Sequence, residues 1–268
     1  MKLYFSGLNR EADVALLVEA GVQHALVDPH DLRYAQDWPG ELALDSGAYR
    51  VFRGHADPMF LFEYIRLANS REFAFVVQPD VINDEAQTRR NYFAVRSSIT
   101  ANPLMPVWPW GGSDRWLRTC LDLAPIVGVG GLVAGLRSKI GKVQKTKAQL
   151  VERFNLELKL HALCRQYPDR LHLFGLNHLV AWTWLWPWAA SCDTSKWLDA
   201  RRYGDLIFLH SRYDTLSQAP ARVLPHNESF AGREPDKTRR RLILSAQALY
   251  SFRPPEGYKD GTYIPRPR

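Results

Sequence analysis

The feature that most constrains this chain is an alternation. Short, continuous apolar runs recur along it, and segments with helical periodicity lie between them. The runs are LYFSG (3–7), HALVD (24–28), LALDS (42–46), FAFVVQPDV (73–81), LMPVWPW (104–110), IVGVGG (126–131), LHLFGL (171–176) and AASCDTS (189–195). Unbroken rather than alternating hydrophobicity is what parallel strands covered on both faces require. The stretches ADVALLVEAG, PMFLFEYIRLANS, EAQTRRNYFAVRSSI, SDRWLRTCLDLA and KTKAQLVERFNLELKLHALCRQYP read as helices. The tryptophans of NHLVAWTWLWP alternate like a strand, yet a helix is needed between the last two runs, so it is assigned as a helix ending at Pro187. Eight strand–helix units predict an α/β fold, a (β/α)8 TIM barrel, with a doubly wound open sheet as the alternative.

Beyond the eighth run, SKWLDARRYGD reads as the closing helix and DKTRRRLILSAQALYSF as a basic C-terminal helix. RPPEGYKDGTYIPRPR reads as an extended tail, so the expected organisation is one barrel domain over 1–252 and a tail over 253–268. A barrel of this kind takes about 250 residues, and the chain has 268. No GxGxxG or GxxxxGK[ST] loop follows any run, which argues against dinucleotide and P-loop folds. No apolar run reaches the ~18 residues of a membrane span, and the N-terminal segment turns polar too early for a signal peptide. Cys120, Cys164 and Cys192 form no CxxC pair, so neither a disulfide framework nor a cysteine-rich zinc site is expected, and a reducing cytoplasm fits.

The net charge of +7 points towards a polyanionic partner. Segment 137–147 carries Arg137, Lys139, Lys142, Lys145 and Lys147 without an acid, and a second cluster holds Lys237 and Arg239 to Arg241. Such clusters neutralise phosphates without reading sequence, although a solvated basic face is the plain alternative. The polar and glycine residues gather where the strands end: Asp45-Ser46-Gly47-Ala48-Tyr49, Pro79-Asp80, Trp108-Pro109-Trp110-Gly111-Gly112, Gly130-Gly131-Leu132, Gly175 and Cys192-Asp193. In TIM barrels that end carries the active site. Any one aspartate there could cap a helix or anchor a turn. Three on different strands of one mouth are not required by capping. His161 and Cys164 form an HxxC pair, but two ligands do not make a metal site, and both read as packing residues.

With these motifs in order, the chain resembles the queuine/archaeosine tRNA-guanine transglycosylase superfamily. DSGAY resembles that family's DSGGF, VGVGGLVAG its GGLAVG, PVWPWGG its strand ending in Gln-Gly-Gly, and LFGL its later Met/Phe-Gly strand. SCDTSKWLDARRYG lies where the family has its nucleophilic aspartate and a following basic stretch, and the agreement spans roughly residues 40–210. The departures are a shorter chain, no CxCxxC zinc motif, and Trp110 where a glutamine reads the base. Short relatives without the zinc motif resemble the DNA branch, which inserts 7-deazaguanine derivatives such as 7-cyano-7-deazaguanine into bacterial or phage DNA.

The resemblance implies that Asp193 attacks C1′ and holds the sugar covalently, while Asp45 serves as general base towards the incoming base. Asp80 would accept hydrogen bonds from the purine N1–H and exocyclic amine, and Tyr49 would stack on the base. The Gly130-Gly131-Leu132 backbone would meet the purine carbonyl or the 7-substituent, with Ser46 and Trp110 as pocket walls. The 137–147 segment, Arg201 and Arg202 would grip flanking phosphates. No metal or redox cofactor is required, and the expected partners are DNA and a 7-deazaguanine base, with room left for helper proteins. Three other readings are a tRNA-directed enzyme of the same chemistry, a catalytically silent nucleic-acid-binding barrel, and a metal-dependent barrel hydrolase.

Overall fold

The computed structural model describes residues 1–132, 147–210, 215–224, 231–232 and 234–253. Nine parallel strands form one sheet: β1 (Lys2–Phe5), β2 (His24–Val27), β3 (Glu41–Leu44), β4 (Val76–Val77), β5 (Leu104–Met105), β6 (Val107–Pro109), β7 (Val127–Gly130), β8 (Leu171–Leu173) and β9 (Ser191–Thr194). Their order is β5-β4-β3-β2-β1-β9-β8-β7-β6, so the sheet curls until its two edge strands are consecutive in sequence. The single α/β domain is therefore nearly closed into a barrel, an arrangement compatible with a TIM-like fold.

The seam explains the ninth strand. The run 104–110 was expected as one strand, but Pro106 has no N–H to give a ladder and divides it. Leu104 and Met105 pair with Val76 and Val77 on one side, whereas Val107 to Pro109 pair with Gly128 to Gly130 on the other. The fully buried Gln78 bridges the gap: its Oε1 accepts from the Val107 N–H at 2.9 Å, and its Nε2 donates to the Thr88 carbonyl at 2.8 Å. The expected strand 73–81 is likewise confined to Val76–Val77.

Both faces of the strands are covered. Leu3, Phe5, Ala25, Val27, Leu42, Leu44, Val127, Val129, Leu171 and Leu173 face the helices in the larger core. Their alternates Tyr4, Leu26, Ala43, Phe75, Val77, Met105 and Val107 fill the barrel interior. Gly128 belongs to this inner set, because a Cβ there would lie 2.4 Å from Phe174 Cε2, so only glycine leaves room for that ring. Helices Glu11–Glu19, Leu61–Ala68, Glu85–Val95, Asp114–Leu123, Lys147–Gln166 and Leu179–Leu185 occupy the expected segments. Two begin at side-chain caps, with Asp84 accepting from the Gln87 N–H at 2.8 Å and Ser113 from the Trp116 N–H at 3.2 Å. Such caps contribute about 1 kcal/mol each. After β2 the connection is a 3-10 turn, Pro29–Ala35. The Leu179–Leu185 helix settles the tryptophan-rich segment, whose Trp182 and Trp186 are buried.

The C-terminal third differs from expectation. The closing helix is reduced to a 3-10 turn, Lys196–Leu198, and one helical turn, Asp199–Arg202. An antiparallel hairpin of β10 (Asp205–His210) and β11 (Thr215–Pro220) follows, where the sequence reading placed no strand. The basic helix Pro235–Ser251 packs on the hairpin, and its Ser245 hydroxyl accepts from the Ile207 N–H at 3.1 Å. Residues 254–268 of the expected tail and 133–146 of the basic segment lie outside the described residues. No helix among the described residues is long and apolar enough to cross a membrane.

Candidate active site

Parallel strands deliver their C-terminal ends to one mouth, and here that mouth is a pocket of about 320 Å³. Residue parity decides what lines it. Tyr4, Leu26 and Ala43 point inward, so the residues two further on, Ser6, Asp28 and Asp45, point inward one layer higher. Asp80 from β4, Gly130 to Leu132 from β7, Phe174 and Gly175 from β8 and Asp193 from β9 complete the ring. A Cβ on Gly130 would lie 2.9 Å from Val107 Cγ1 and 3.5 Å from Asp80 Oδ2, so the missing side chain keeps the pocket open beside that acid.

Asp193 is 6% exposed and lies within β9, where its backbone pairs with Tyr4 of β1 on one side and its carbonyl accepts from the Leu176 N–H at 3.1 Å on the other. Its carboxylate accepts from the Ser6 hydroxyl at 2.8 Å on Oδ2 and from the Gly175 N–H at 2.6 Å on Oδ1. Asp45 accepts from the Ser46 N–H at 2.8 Å. Burial, reinforced by the charges of Asp28, Asp193 and Asp80, pushes its carboxyl well above the usual carboxylate range. Burial also lifts Asp80 to about 6, against the opposing pull of the Ser46 hydroxyl, which donates to Oδ1 at 2.5 Å. Ser46 thus touches both acids, through its amide and its hydroxyl. Gly47, at φ +76°, makes the turn that allows this and sits 3.3 Å, measured from an added Cβ, from the Pro29 ring.

A fourth carboxylate, Asp28, was not singled out from the sequence. It accepts from the His30 N–H at 2.9 Å, so it is a cap, but it also lines the pocket and faces Arg50 Nε at 3.4 Å. Arg50 is ion-paired to Asp31 as well, which clamps the loops after β2 and β3 together. A further inward group, His172, lies in the barrel interior under Asp193. Its Nδ1 is 2.8 Å from the Ser191 hydroxyl and its Nε2 is 3.8 Å from Asp193 Oδ1. The histidine of LHLFGL carried a legible signal, since alternation along the strand puts it on the same face as Phe174.

Of the residues expected at the site, Asp193, Asp45, Asp80, Ser46, Tyr49, Gly130, Gly131, Leu132 and Arg202 line this pocket. Trp110 does not: its ring packs against the outer core and meets Trp108 edge-on at 5.9 Å. Arg201 turns away to the buried Asp13, at 2.6 Å, and anchors the Asp199–Arg202 turn to the first helix. Arg137, Lys139, Lys142 and Lys145 lie outside the described residues, as does the side chain of Lys147. In the second basic cluster Arg241 is buried and donates to the Gly232 carbonyl at 2.8 Å, while Arg239 pairs with Glu19 and Lys237 lies 3.7 Å from Glu234. His161 stacks edge-on near Trp188 and Cys164 is fully buried, so the HxxC pair is packing.

Chemically, the pocket offers one well-oriented carboxylate in Asp193, two in Asp45 and Asp80 whose protonated forms burial favours, a fourth in Asp28 that faces Arg50, and backbone beside them. Among the described residues no group of three or more His, Cys, Asp or Glu side chains is arranged to hold a metal ion. Neither protein-family models nor curated proteins give any match to the chain.

Proposed function

We propose that the chain is a base-exchange transglycosylase that replaces guanine in DNA with a 7-deazaguanine derivative. On this reading the fold is a (β/α)8 barrel in which β5, Pro106 and β6 count as a single stave. The observation that carries the proposal is the gathering of Asp193, Asp45 and Asp80 in one pocket, with unequal environments. Retaining glycosyl transfer needs that inequality: a carboxylate to attack the anomeric carbon and a second group to manage protons.

Asp193, oriented by Ser6 and Gly175, attacks C1′ as the bond to the guanine nitrogen breaks. The electron pair of that bond goes to the leaving base, and the proton of Asp45 follows it. In the second half the incoming base gives its N–H proton to Asp45 and attacks C1′, and the sugar–Asp193 bond returns its pair to the carboxylate. Asp80 selects the base. Its Oδ1 is taken by Ser46, and its Oδ2 faces the open space at Gly130, where two N–H groups of a guanine edge find an acceptor. Tyr49 and Phe174 supply flat apolar walls. A pocket of about 320 Å³ takes a nucleoside but no duplex, so the target nucleotide enters flipped or unpaired. Arg202, exposed at the rim, meets the adjoining phosphate.

The test is incubation of the full chain with radiolabelled guanine and either DNA or tRNA. Label is expected in DNA, and a denaturation-resistant protein–DNA adduct is expected with the native chain. Asp193→Asn abolishes the adduct and slows exchange by about 10⁴-fold or more, the scale seen when an enzyme loses its nucleophile. Label in tRNA alone would refute the DNA assignment, and exchange undiminished by Asp193→Asn would refute the mechanism.

A further inference from the structure

His172 is the most unusual polar group in the interior. It is fully buried in the middle of the barrel, enclosed by Tyr4, Phe75 and Phe174 at ring-centroid distances of 6.0, 5.4 and 4.6 Å. An imidazole in such surroundings is costly unless both nitrogens are used. Nδ1 is used, at 2.8 Å from the Ser191 hydroxyl, but Nε2 has no hydrogen-bond partner. What Nε2 faces is the nucleophile of the proposed reaction: Asp193 Oδ1 is 3.8 Å away, beyond a hydrogen bond and within electrostatic reach. The next residue but two, Gly175, already donates its N–H to the same oxygen at 2.6 Å.

We infer that His172 is a positioning residue which, with the Gly175 N–H, forms a two-donor cradle for the Asp193 carboxylate and makes it a competent leaving group. The inference rests on the transglycosylase reading. A carboxylate accepts only, so the tautomer that suits this site carries its proton on Nε2, and Nδ1 must then accept from the Ser191 hydroxyl. The contacts run from Ser191 to His172 by a hydrogen bond and on to Asp193 across 3.8 Å, up the inner wall from β9 across β8 and back to β9. While Asp193 is esterified to the sugar, Oδ1 is a neutral carbonyl oxygen and one donor satisfies it. As the incoming base attacks C1′, the C1′–Asp193 bond breaks and its electron pair returns to the carboxylate, while the base's N–H proton goes to Asp45. Negative charge then grows on Oδ1, and a second fixed donor waiting in a dry, aromatic-walled space stabilises it where reorganisation costs least. At 3.8 Å Nε2 lies about 1 Å beyond a hydrogen bond, so a small rotation of either side chain engages the donor.

The role predicts a change in how the two half-reactions divide, which loss of packing alone would not produce. The full chain is incubated with a guanine-containing single-stranded DNA oligonucleotide and radiolabelled guanine. Adduct formed in one turnover and steady-state exchange are then measured separately. For His172→Phe, which keeps an aromatic of similar bulk, the adduct still forms. Its resolution slows about 10- to 100-fold, the scale of one hydrogen bond to a charged group, so adduct accumulates. His172→Gln, which can place an amide donor at the same height, restores most of the resolution rate. Ser191→Ala, which frees the tautomer with little change in volume, shifts the division in the same direction by a smaller factor and keeps the test decisive should His172→Phe fold poorly. An unchanged ratio of adduct to exchange in the folded variants, or a Gln variant as slow as Phe, overturns the inference and leaves the transglycosylase reading intact. No adduct and no exchange with the native chain overturns both.

Discussion

Ser46 is the residue at which the proposed proton-managing acid, Asp45, and the proposed base-reading acid, Asp80, meet, and removing its hydroxyl separates their environments. In Ser46→Ala the backbone N–H that donates to Asp45 at 2.8 Å remains, whereas the hydroxyl donor to Asp80 at 2.5 Å is lost. That hydroxyl opposes the burial that lifts Asp80 to about 6. A hydrogen bond to a charged group is worth about 1.5–3 kcal/mol, and one pH unit corresponds to about 1.4 kcal/mol, so its loss raises Asp80 by roughly one to two units. On the proposed reading, only ionised Asp80 accepts from both N–H groups of a guanine edge. Base binding should therefore have an acid limb near 6 in the native chain. In the variant the limb moves to roughly 7–8, the same one to two units higher. Below each midpoint the affinity falls about tenfold per pH unit, because one proton must leave on binding. Equilibrium dialysis of radiolabelled guanine against both proteins across the neutral range reads the midpoints directly. Coincident midpoints, or a shift to lower pH, would show that Asp80 is not the base-reading acid or that Ser46 does not hold it.

Other perturbations probe the same pocket through stability. Asp80 lies at about 6 in the fold against 3.8 as a free side chain, so folding disfavours its ionisation; that destabilisation builds between those values and is complete above 6. Asp80→Asn should therefore stabilise the fold by up to about 3 kcal/mol above pH 6 and by nothing below pH 4, as roughly two units at 1.36 kcal/mol each. Melting curves at the two extremes check this, and an equal effect at both would contradict it. Gly128→Ala forces a Cβ to within 2.4 Å of Phe174 Cε2 and should cost about 1–3 kcal/mol by overpacking the inner wall, read as a lower melting temperature. A variant that melts with the native chain would mean that the Phe174 ring has room to move aside.

The legible and illegible parts of this molecule divide along physical lines. IVGVGG and AASCDTS were readable as strands because both faces of a parallel strand are buried, and β7 and β9 are buried at every position. The run LMPVWPW was misjudged as one strand because its hydrophobicity is continuous while its hydrogen bonding is not; the break is Pro106, which was visible, and the Gln78 bridge, which was not. The β10–β11 hairpin went unread although DLIFLH follows Gly204 as an apolar run bounded by a turn residue. The site was legible at Asp45, Asp80 and Asp193 because parity and strand ends fix which side chains reach the mouth. Asp28 was missed for a different reason: Asp-Pro after a strand signals a cap, and the residue is one, so its second role appears only when the loops after β2 and β3 are brought together by Arg50. Arg201 shows the converse, since a basic residue beside the proposed nucleophile reads as a phosphate ligand until its buried partner Asp13, 188 residues away, is in view.

Gln78 makes the barrel a hoop fastened by a clasp, and the position of the clasp has a consequence for the pocket. Asp80 stands two residues beyond Gln78 on one side of the join, and Gly130 stands across it on the strand paired to β6. On the proposed reading, a base held between Asp80 and the Gly130–Leu132 backbone spans the join and fastens it a second time. Grip on the base and closure of the hoop are then one equilibrium seen from two ends, so each strengthens the other by the same factor. A substitution that loosens the clasp, though it never touches the base, would be felt as weaker binding, and an occupied pocket would hold together a hoop whose clasp had been weakened.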